Sequence, residues 1–254
     1  MLYNLAALYS QLAGQSPKTT PQGQKAACNY YCAAAGVLKY LKEEIIPELR
    51  STPPEDMDAM TLECLEQLML AQAQECFWMK AVDDNNKDSV VARLAASVSD
   101  YYDVAAEFGT KSTSIRSEWV HHMCAKQHHF AAAAQYRASL DCLQRSKYGE
   151  EVARLKDALE AASTAIKVEG RYISKTILTD LQGLRDKLAD TLKGSEKDND
   201  LIYLCAQSPP VCVGLKADLC STGAGIISTS EAFESVNGVC TSTKRALGGD
   251  QDDL

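Results

Sequence analysis

The spacing of apolar residues predicts that residues 1–204 are almost entirely helical. Apolar positions recur every three or four residues, which places them on one face of an α-helix. Pro, Gly, Asp and Asn interrupt this pattern and predict seven helices, near residues 1–13, 23–49, 56–81, 88–107, 114–146, 150–168 and 174–203. Sustained apolar–polar alternation is missing, so no strand is predicted. Long helices joined by short loops favour antiparallel neighbours, and we expect an elongated all-α array of helical hairpins.

Residues 205–254 follow a different pattern, rich in Ser, Thr, Gly and Cys and without helical periodicity beyond a few positions. The spacing of the four cysteines in this segment lacks the paired ligands of a zinc site. Because such a composition offers little apolar surface for a core, we predict a disordered tail. The chain therefore divides into a helical domain, residues 1–204, and a divergent tail, residues 205–254.

Composition and charge narrow the possible functions. The chain has 254 residues and a formal net charge of −8, and its Lys and Arg are scattered, which argues against nucleic acid as a partner. It contains no run of about 18 apolar residues that could span a membrane. The N-terminus lacks the basic flank and the cleavage site of a secretory signal. We therefore expect a cytoplasmic protein whose ten cysteines are reduced.

The densest cluster of chemically versatile side chains is WVHHMCAKQHHF, residues 119–130. On a helix, His121, Cys124 and His128 share one face, and imidazole and thiolate are good zinc ligands. A hydrolase would also need a positioned acid or base, and the stretch contains no HExxH motif. The alternative is a polar helix face whose histidines make local hydrogen bonds.

The other candidate catalytic group is the carboxylate pair Glu150 and Glu151. At the start of a helix, these side chains complement the helix dipole, and their spacing to Arg154 predicts a solvated ion pair. No glycine-rich phosphate loop and no GxSxG motif occurs. We therefore predict a protein that is not an enzyme and uses no cofactor.

The helix predicted at residues 56–81 carries more apolar surface than one core contact requires. Its central stripe runs from Leu62 to Cys76. A second stripe lies beside it and comprises Met60, Cys64, Leu68 and Ala71. Such a helix is either buried on two sides or lines a groove that binds another protein's helix, and the pattern leaves both open.

Several stretches, in this order, resemble the BRO domain of the ALIX and yeast vacuolar-sorting family: LYNLAALYSQLA, AACNYYCAAAGVLKYL, LMLAQAQECFWMKA, KYGEEVARLKDAL and EKDNDLIY. Three others, PPEDMDAMTLECLEQL, EWVHHM and FAAAAQYR, are most similar to the fungal PalA-type branch, which acts in the response to ambient pH. The resemblance covers residues 1 to about 204.

This resemblance implies a non-enzymatic, banana-shaped domain with a tetratricopeptide-like helical core. Such domains bind the C-terminal helix of the core ESCRT-III filament subunit at endosomes, and so reach the endosomal membrane through partners. In the PalA-type branch they help to bring a zinc-finger transcription factor to a calpain-like protease. General endosomal sorting by the same fold is the alternative.

The resemblance also implies where the partner binds. Leu68 and Leu65 are the main candidates, with Met60 and Cys64 as neighbours. Leu188 and Leu192 are further candidates, for which a place in the core is the alternative.

The resemblance is to an incomplete BRO domain. In the family, a segment that includes β-hairpins precedes the stretch matched here, and a coiled-coil V-shaped region follows it. After Tyr203 this sequence departs from the family pattern. We therefore expect some helix faces of residues 1–204 to lack their usual cover, with a cost in stability.

Overall fold

The computed structural model describes residues 1–49 and 51–205, which form seven long helices. They are α1 (Leu2–Gln15), α2 (Pro21–Tyr40), α3 (Ala59–Asp83), α4 (Asp88–Lys111), α5 (Ser117–Gln144), α6 (Tyr148–Glu169) and α7 (Lys175–Asp198). π-Helical turns extend α2 over Leu41–Ile45 and α7 over Asn199–Tyr203, and the short turn Ile46–Glu48 completes the first of these. These residues contain no strand, which confirms the predicted fold class.

The predicted tail, from residue 206 onward, lies outside the described residues. That the tail is disordered therefore stays a prediction, and so does the domain boundary at residue 204.

Local hydrogen bonds explain where the helices begin. The Thr20 hydroxyl accepts a bond from the Gly23 amide at 3.1 Å and caps α2. Residue 23 has to be glycine, because an added Cβ would lie 2.0 Å from the Pro17 carbonyl oxygen. At α3 the cap is Asp58, whose carboxylate accepts from the Met60 amide at 3.0 Å. The sequence pattern predicted a start near residue 56, but residues 55–57 form a separate 3₁₀ turn.

Each helix packs against the next in chain order, from α1 on α2 to α6 on α7. Because the connections are short, neighbouring helices run antiparallel, as expected of a hairpin array. The main core spans α1 to α5 and contains Leu62, Tyr102 and Met123 at its centre. A second cluster joins α5, α6 and α7 around Val152 and Leu155. Alternate helices of this array, such as α3 and α5, lie side by side on one of its faces.

Candidate protein-docking site

Helix α3 is buried on two sides, between α2 and α4. In its second apolar stripe, Cys64 and Ala71 have no exposed surface and Leu68 is 7% exposed. A Cβ on Gly109 of α4 would lie 3.2 Å from the Cys64 sulfur, so α3 and α4 approach closely at this point. Most of the second stripe is therefore core: Met60, at its start, is half-buried, and Leu68 is buried but lines a groove.

Leu68 lines a groove between α3 and α5, which we name the α3–α5 groove. Its volume is about 370 Å³, and the loop between α6 and α7 forms one wall. The lining residues are Leu68, Gln72, Glu118, Trp119, His122, Met123, Tyr172, Ile173 and Ser174. Two of its aromatic side chains are half-exposed, Trp119 at 49% and Tyr172 at 57%. The groove therefore presents aromatic surface to solvent above an aliphatic floor.

Leu65 lines a second, smaller groove of about 150 Å³, which we name the α1–α3 groove. Tyr3, Ala6, Ala7 and Ser10 of α1 form one wall, and Met69 and Leu38 also contribute. Trp119 lines both grooves, so its indole joins them across α3. Trp119 was not among the binding residues predicted from the sequence. The one signal available was a large aromatic residue within a mostly polar stretch, SEWVHH.

A half-buried polar network behind the groove ties α3, α4 and α5 together. The Tyr102 hydroxyl donates to the Glu75 carboxylate at 2.6 Å, and the Lys126 ammonium donates to the same carboxylate oxygen at 3.1 Å. Burial raises the pKa of Tyr102 well above its ordinary value, so the phenol remains a donor. These bonds hold α3 and α5 at the spacing that forms the groove.

The other predicted binding residues lie apart from both grooves. Met60 is half-buried in the first turn of α3 and lines neither groove. Cys64 has no exposed surface, and burial raises the pKa of its thiol to about 11. Leu188 is fully buried and Leu192 is 9% exposed in the cluster that joins α5 to α7, so both occupy core positions.

The structure does not bring His121, Cys124 and His128 together as metal ligands. The Nδ1 atom of His121 lies 2.6 Å from a carboxylate oxygen of Glu169, and the imidazole stacks on Tyr172 at 4.1 Å. Within residues 1–49 and 51–205, no group of three or more His, Cys, Asp or Glu side chains is arranged to hold an ion. His121 instead joins α5 to the end of α6 and positions Tyr172 at the groove.

The two adjacent glutamates have separate structural partners. Glu150 pairs with Lys147 at 2.9 Å, and buried Glu151 accepts a hydrogen bond from Ser195 at 2.6 Å. The predicted ion pair with Arg154 does not form, because the Arg154 guanidinium donates to the Gln135 amide oxygen at 3.0 Å. Glu151 therefore joins α6 to α7, and Glu150 makes a surface ion pair at the start of α6.

Comparison with known proteins identifies the family of this chain. The BRO1-like domain family matches residues 1–211, and the chain belongs to that family. It is 60% identical over 204 residues to the pH-response regulator protein palA/RIM20 of Emericella nidulans. It is 54% identical over 206 residues to the pH-response regulator protein palA/prr-1 of Neurospora crassa. Each match covers 80% of this chain and 24% of the relative, so the chain spans about a quarter of the length of these relatives.

A solved structure shares the fold. The ALIX BRO1 domain in its complex with CHMP4C superposes with a TM-score of 0.76 at 33% sequence identity, over 82% of this chain and 57% of that one. Both the BRO-domain resemblance and its PalA-type branch are confirmed by these matches. Among the described residues, no helix is long and apolar enough to cross a membrane.

Proposed function

We propose that this chain is a non-enzymatic docking module that binds the C-terminal amphipathic helix of the core ESCRT-III subunit at endosomes. The observation that carries the proposal is the pair of apolar grooves joined by Trp119. Leu68 lines one groove and Leu65 the other. An amphipathic helix laid across α3 can place apolar side chains in both grooves and keep its polar face in water.

The area available is sufficient for a specific contact. Trp119 leaves 49% of its surface exposed. Aromatic side chains bury about 150–250 Å², so covering the remaining half of Trp119 contributes roughly 2–3 kcal/mol. The solved ALIX BRO1 complex with CHMP4C supports this class of partner, since that domain has the same fold as this chain.

The direct test is binding of a fluorescent peptide that carries the C-terminal helix of a fungal core ESCRT-III subunit, measured by fluorescence anisotropy. Leu68→Asp places a charge at the floor of the α3–α5 groove and is expected to abolish binding. Because Leu68 is only 7% exposed, this change also strains the core. Trp119→Ala is therefore the decisive variant, since a half-exposed side chain can be truncated without opening a cavity.

The matched control is Leu143→Ala, which truncates another apolar side chain of α5 that is 45% exposed and lines neither groove. Far-UV circular dichroism should remain helical in all variants that are compared. Binding by Trp119→Ala at the affinity of the parent chain would show that the partner contacts a different surface.

We assign the module to ambient-pH signalling, where the complete protein would help a calpain-like protease to process a zinc-finger transcription factor. The support is the 60% identity to a relative named as a pH-response regulator. General endosomal sorting is the second candidate, and the similarity to the ALIX BRO1 domain favours it. A deletion strain separates them: failure to grow at alkaline pH supports the signalling role, and normal growth supports sorting alone.

A further inference from the structure

The two grooves of the candidate docking site differ in charge. The α1–α3 groove is lined by uncharged side chains throughout. In the α3–α5 groove, Glu118 contributes a carboxylate, and no Lys or Arg of the described residues contributes to the lining. Burial, followed by repulsion from Lys126, lowers the pKa of His122, so that imidazole is neutral at pH 7. The lining of the α3–α5 groove therefore offers a negative charge and no positive one.

The Glu118 carboxylate is available to an external cation. It lies in the first turn of α5 and is exposed. Within residues 1–49 and 51–205 it takes part in no ion pair. Arg116, Arg171 and Lys175 are its nearest basic residues along α5 and the α6–α7 loop, but all three are exposed and none lines the groove. Their charges are therefore screened by water and salt.

Two aromatic rings lie in the same groove lining as this carboxylate. Trp119 is half-exposed, and within the described part of the chain its indole has neither a stacked ring nor a cation against it. Tyr172 is supported from one side by the stacked imidazole of His121 and is otherwise largely exposed. Because the face of an aromatic ring attracts ammonium and guanidinium groups, two open rings beside a carboxylate are complementary to a cationic side chain.

We propose that the α3–α5 groove takes a Lys or Arg side chain of the partner helix. The aliphatic stem lies against Leu68 on the groove floor, and the charged head meets the two rings and the Glu118 carboxylate. An acidic side chain at the same place would meet a like charge and is rejected. The inference rests on the proposed docking function and adds a direction to it. Since the α1–α3 groove is uncharged and takes an apolar side chain, the partner helix lies across α3 in one orientation.

The first test changes the carboxylate in the full chain and measures fluorescence anisotropy with the ESCRT-III peptide. Glu118→Gln should weaken binding by about three- to fivefold, as for an exposed ion pair. Glu118→Lys should weaken it by tenfold or more, because the groove then repels the peptide's cation. The matched control is Glu160→Gln, which neutralises an exposed glutamate of α6 that lines neither groove and should leave affinity unchanged.

The second test exchanges the charges between the two partners. Each Lys and Arg of the peptide is replaced singly with Glu. One of these peptides should bind the parent chain at least tenfold more weakly and regain fivefold or more with Glu118→Lys, which identifies the side chain in the groove. Misfolding cannot produce that rescue.

The third test concerns the ring of Tyr172, which lines the α3–α5 groove and not the α1–α3 groove. Tyr172→Phe keeps an aromatic face and should bind the peptide nearly as the parent chain does. Tyr172→Leu keeps apolar volume without that face and should weaken binding several-fold. With a peptide whose groove-bound Lys or Arg is replaced by norleucine, the two variants should bind equally.

The outcomes separate this proposal from the docking proposal on which it rests. A peptide that does not bind the parent chain contradicts the docking proposal itself. Two results overturn the cationic pocket and leave the docking site intact. One is binding that depends on Trp119 but is unaffected by Glu118→Lys. The other is full affinity after every Lys and Arg of the peptide is replaced by norleucine, which would show that an apolar side chain occupies the groove.

Discussion

The α3–α5 groove and the α1–α3 groove share the Trp119 indole but differ in size, about 370 against 150 Å³, and in chemistry. The α3–α5 groove lies between alternate helices, and its apolar and aromatic side chains, Leu68, Met123, Ile173, Trp119 and Tyr172, lie beside a few polar ones. One of these polar side chains is the carboxylate of Glu118. The α1–α3 groove has no charged side chain in its lining. Two neighbouring grooves on one helix can therefore suit different side chains of one partner.

The largest effect is expected from Trp119, because its side chain lines both grooves. Trp119→Ala should lower affinity for the ESCRT-III peptide by about 2 kcal/mol or more, as for a central aromatic anchor. Tyr172→Leu alters the α3–α5 groove alone and should cost less. The peptide is titrated against each variant, and an equal loss in both would mean that the α1–α3 groove contributes nothing to binding.

Salt should separate the two grooves next. Ion pairs near a surface are screened as the ionic strength rises, and apolar contacts are not. Raising salt from about 50 to about 200 mM should weaken peptide binding to the parent chain by roughly two- to threefold and change binding to Glu118→Gln less. The measurement is titration of both chains at both concentrations. Equal salt dependence of the two chains would contradict a cationic contact in the α3–α5 groove.

Substitution of Gly109, with Gly183 as the comparison, tests how tightly the side chains beneath the groove are packed. A Cβ on Gly109 would lie 2.9 Å from the Met123 side chain, which lines the groove, so Gly109→Ala should weaken both stability and peptide binding. Gly183 of α7 has open space around it. Gly183→Ala should therefore stabilise the chain by about 0.5–1 kcal/mol through helix propensity. Urea denaturation compares the two, and stabilisation by Gly109→Ala would show that the groove floor is loosely packed.

The smallest expected effect is a dependence of stability on pH that arises from two histidines of α5. Burial, followed by repulsion from Lys126, lowers the pKa of both His122 and His129. The unfolded chain therefore takes up protons first, and the free energy of unfolding falls as pH drops below about 6.5.

Urea titrations between pH 7.5 and 5.5 measure that slope. Replacement of both histidines with Gln should flatten the slope, and a slope unchanged in the double variant would assign the pH dependence to other groups. His122 lines the α3–α5 groove, whereas the eight residues that line the α1–α3 groove include no histidine.

The sequence was sufficient for the helices, because each is encoded by local periodicity and by local breaks. The helix predicted at 150–168 is found at Tyr148–Glu169, and the one predicted at 174–203 begins at Lys175. The start of α3 was placed too early, since residues 55–57 have helical composition but form a separate turn. Helix ends depend on single capping bonds, such as that of Asp58, which periodicity does not reveal.

The candidate site was predictable only in part. Leu68 and Leu65 lie where a groove forms, yet Cys64 beside them is sealed by Gly109 of the next helix. Sequence projection treats every apolar position of one helix alike, because it contains no information about the neighbour that covers it. Arg154 shows the same limit, since its partner Gln135 belongs to another helix and replaces the expected Glu150.

The sequence by itself determined an all-α hairpin array and its BRO-domain family, since local periodicity encodes helices and long motifs carry the resemblance. Only the tertiary structure decided which apolar residues remain accessible. Leu68, Trp119 and Tyr172 are far apart in the chain and line one groove because α3, α5 and the α6–α7 loop converge. Such convergence depends on packing between helices, and no stretch of residues encodes it alone.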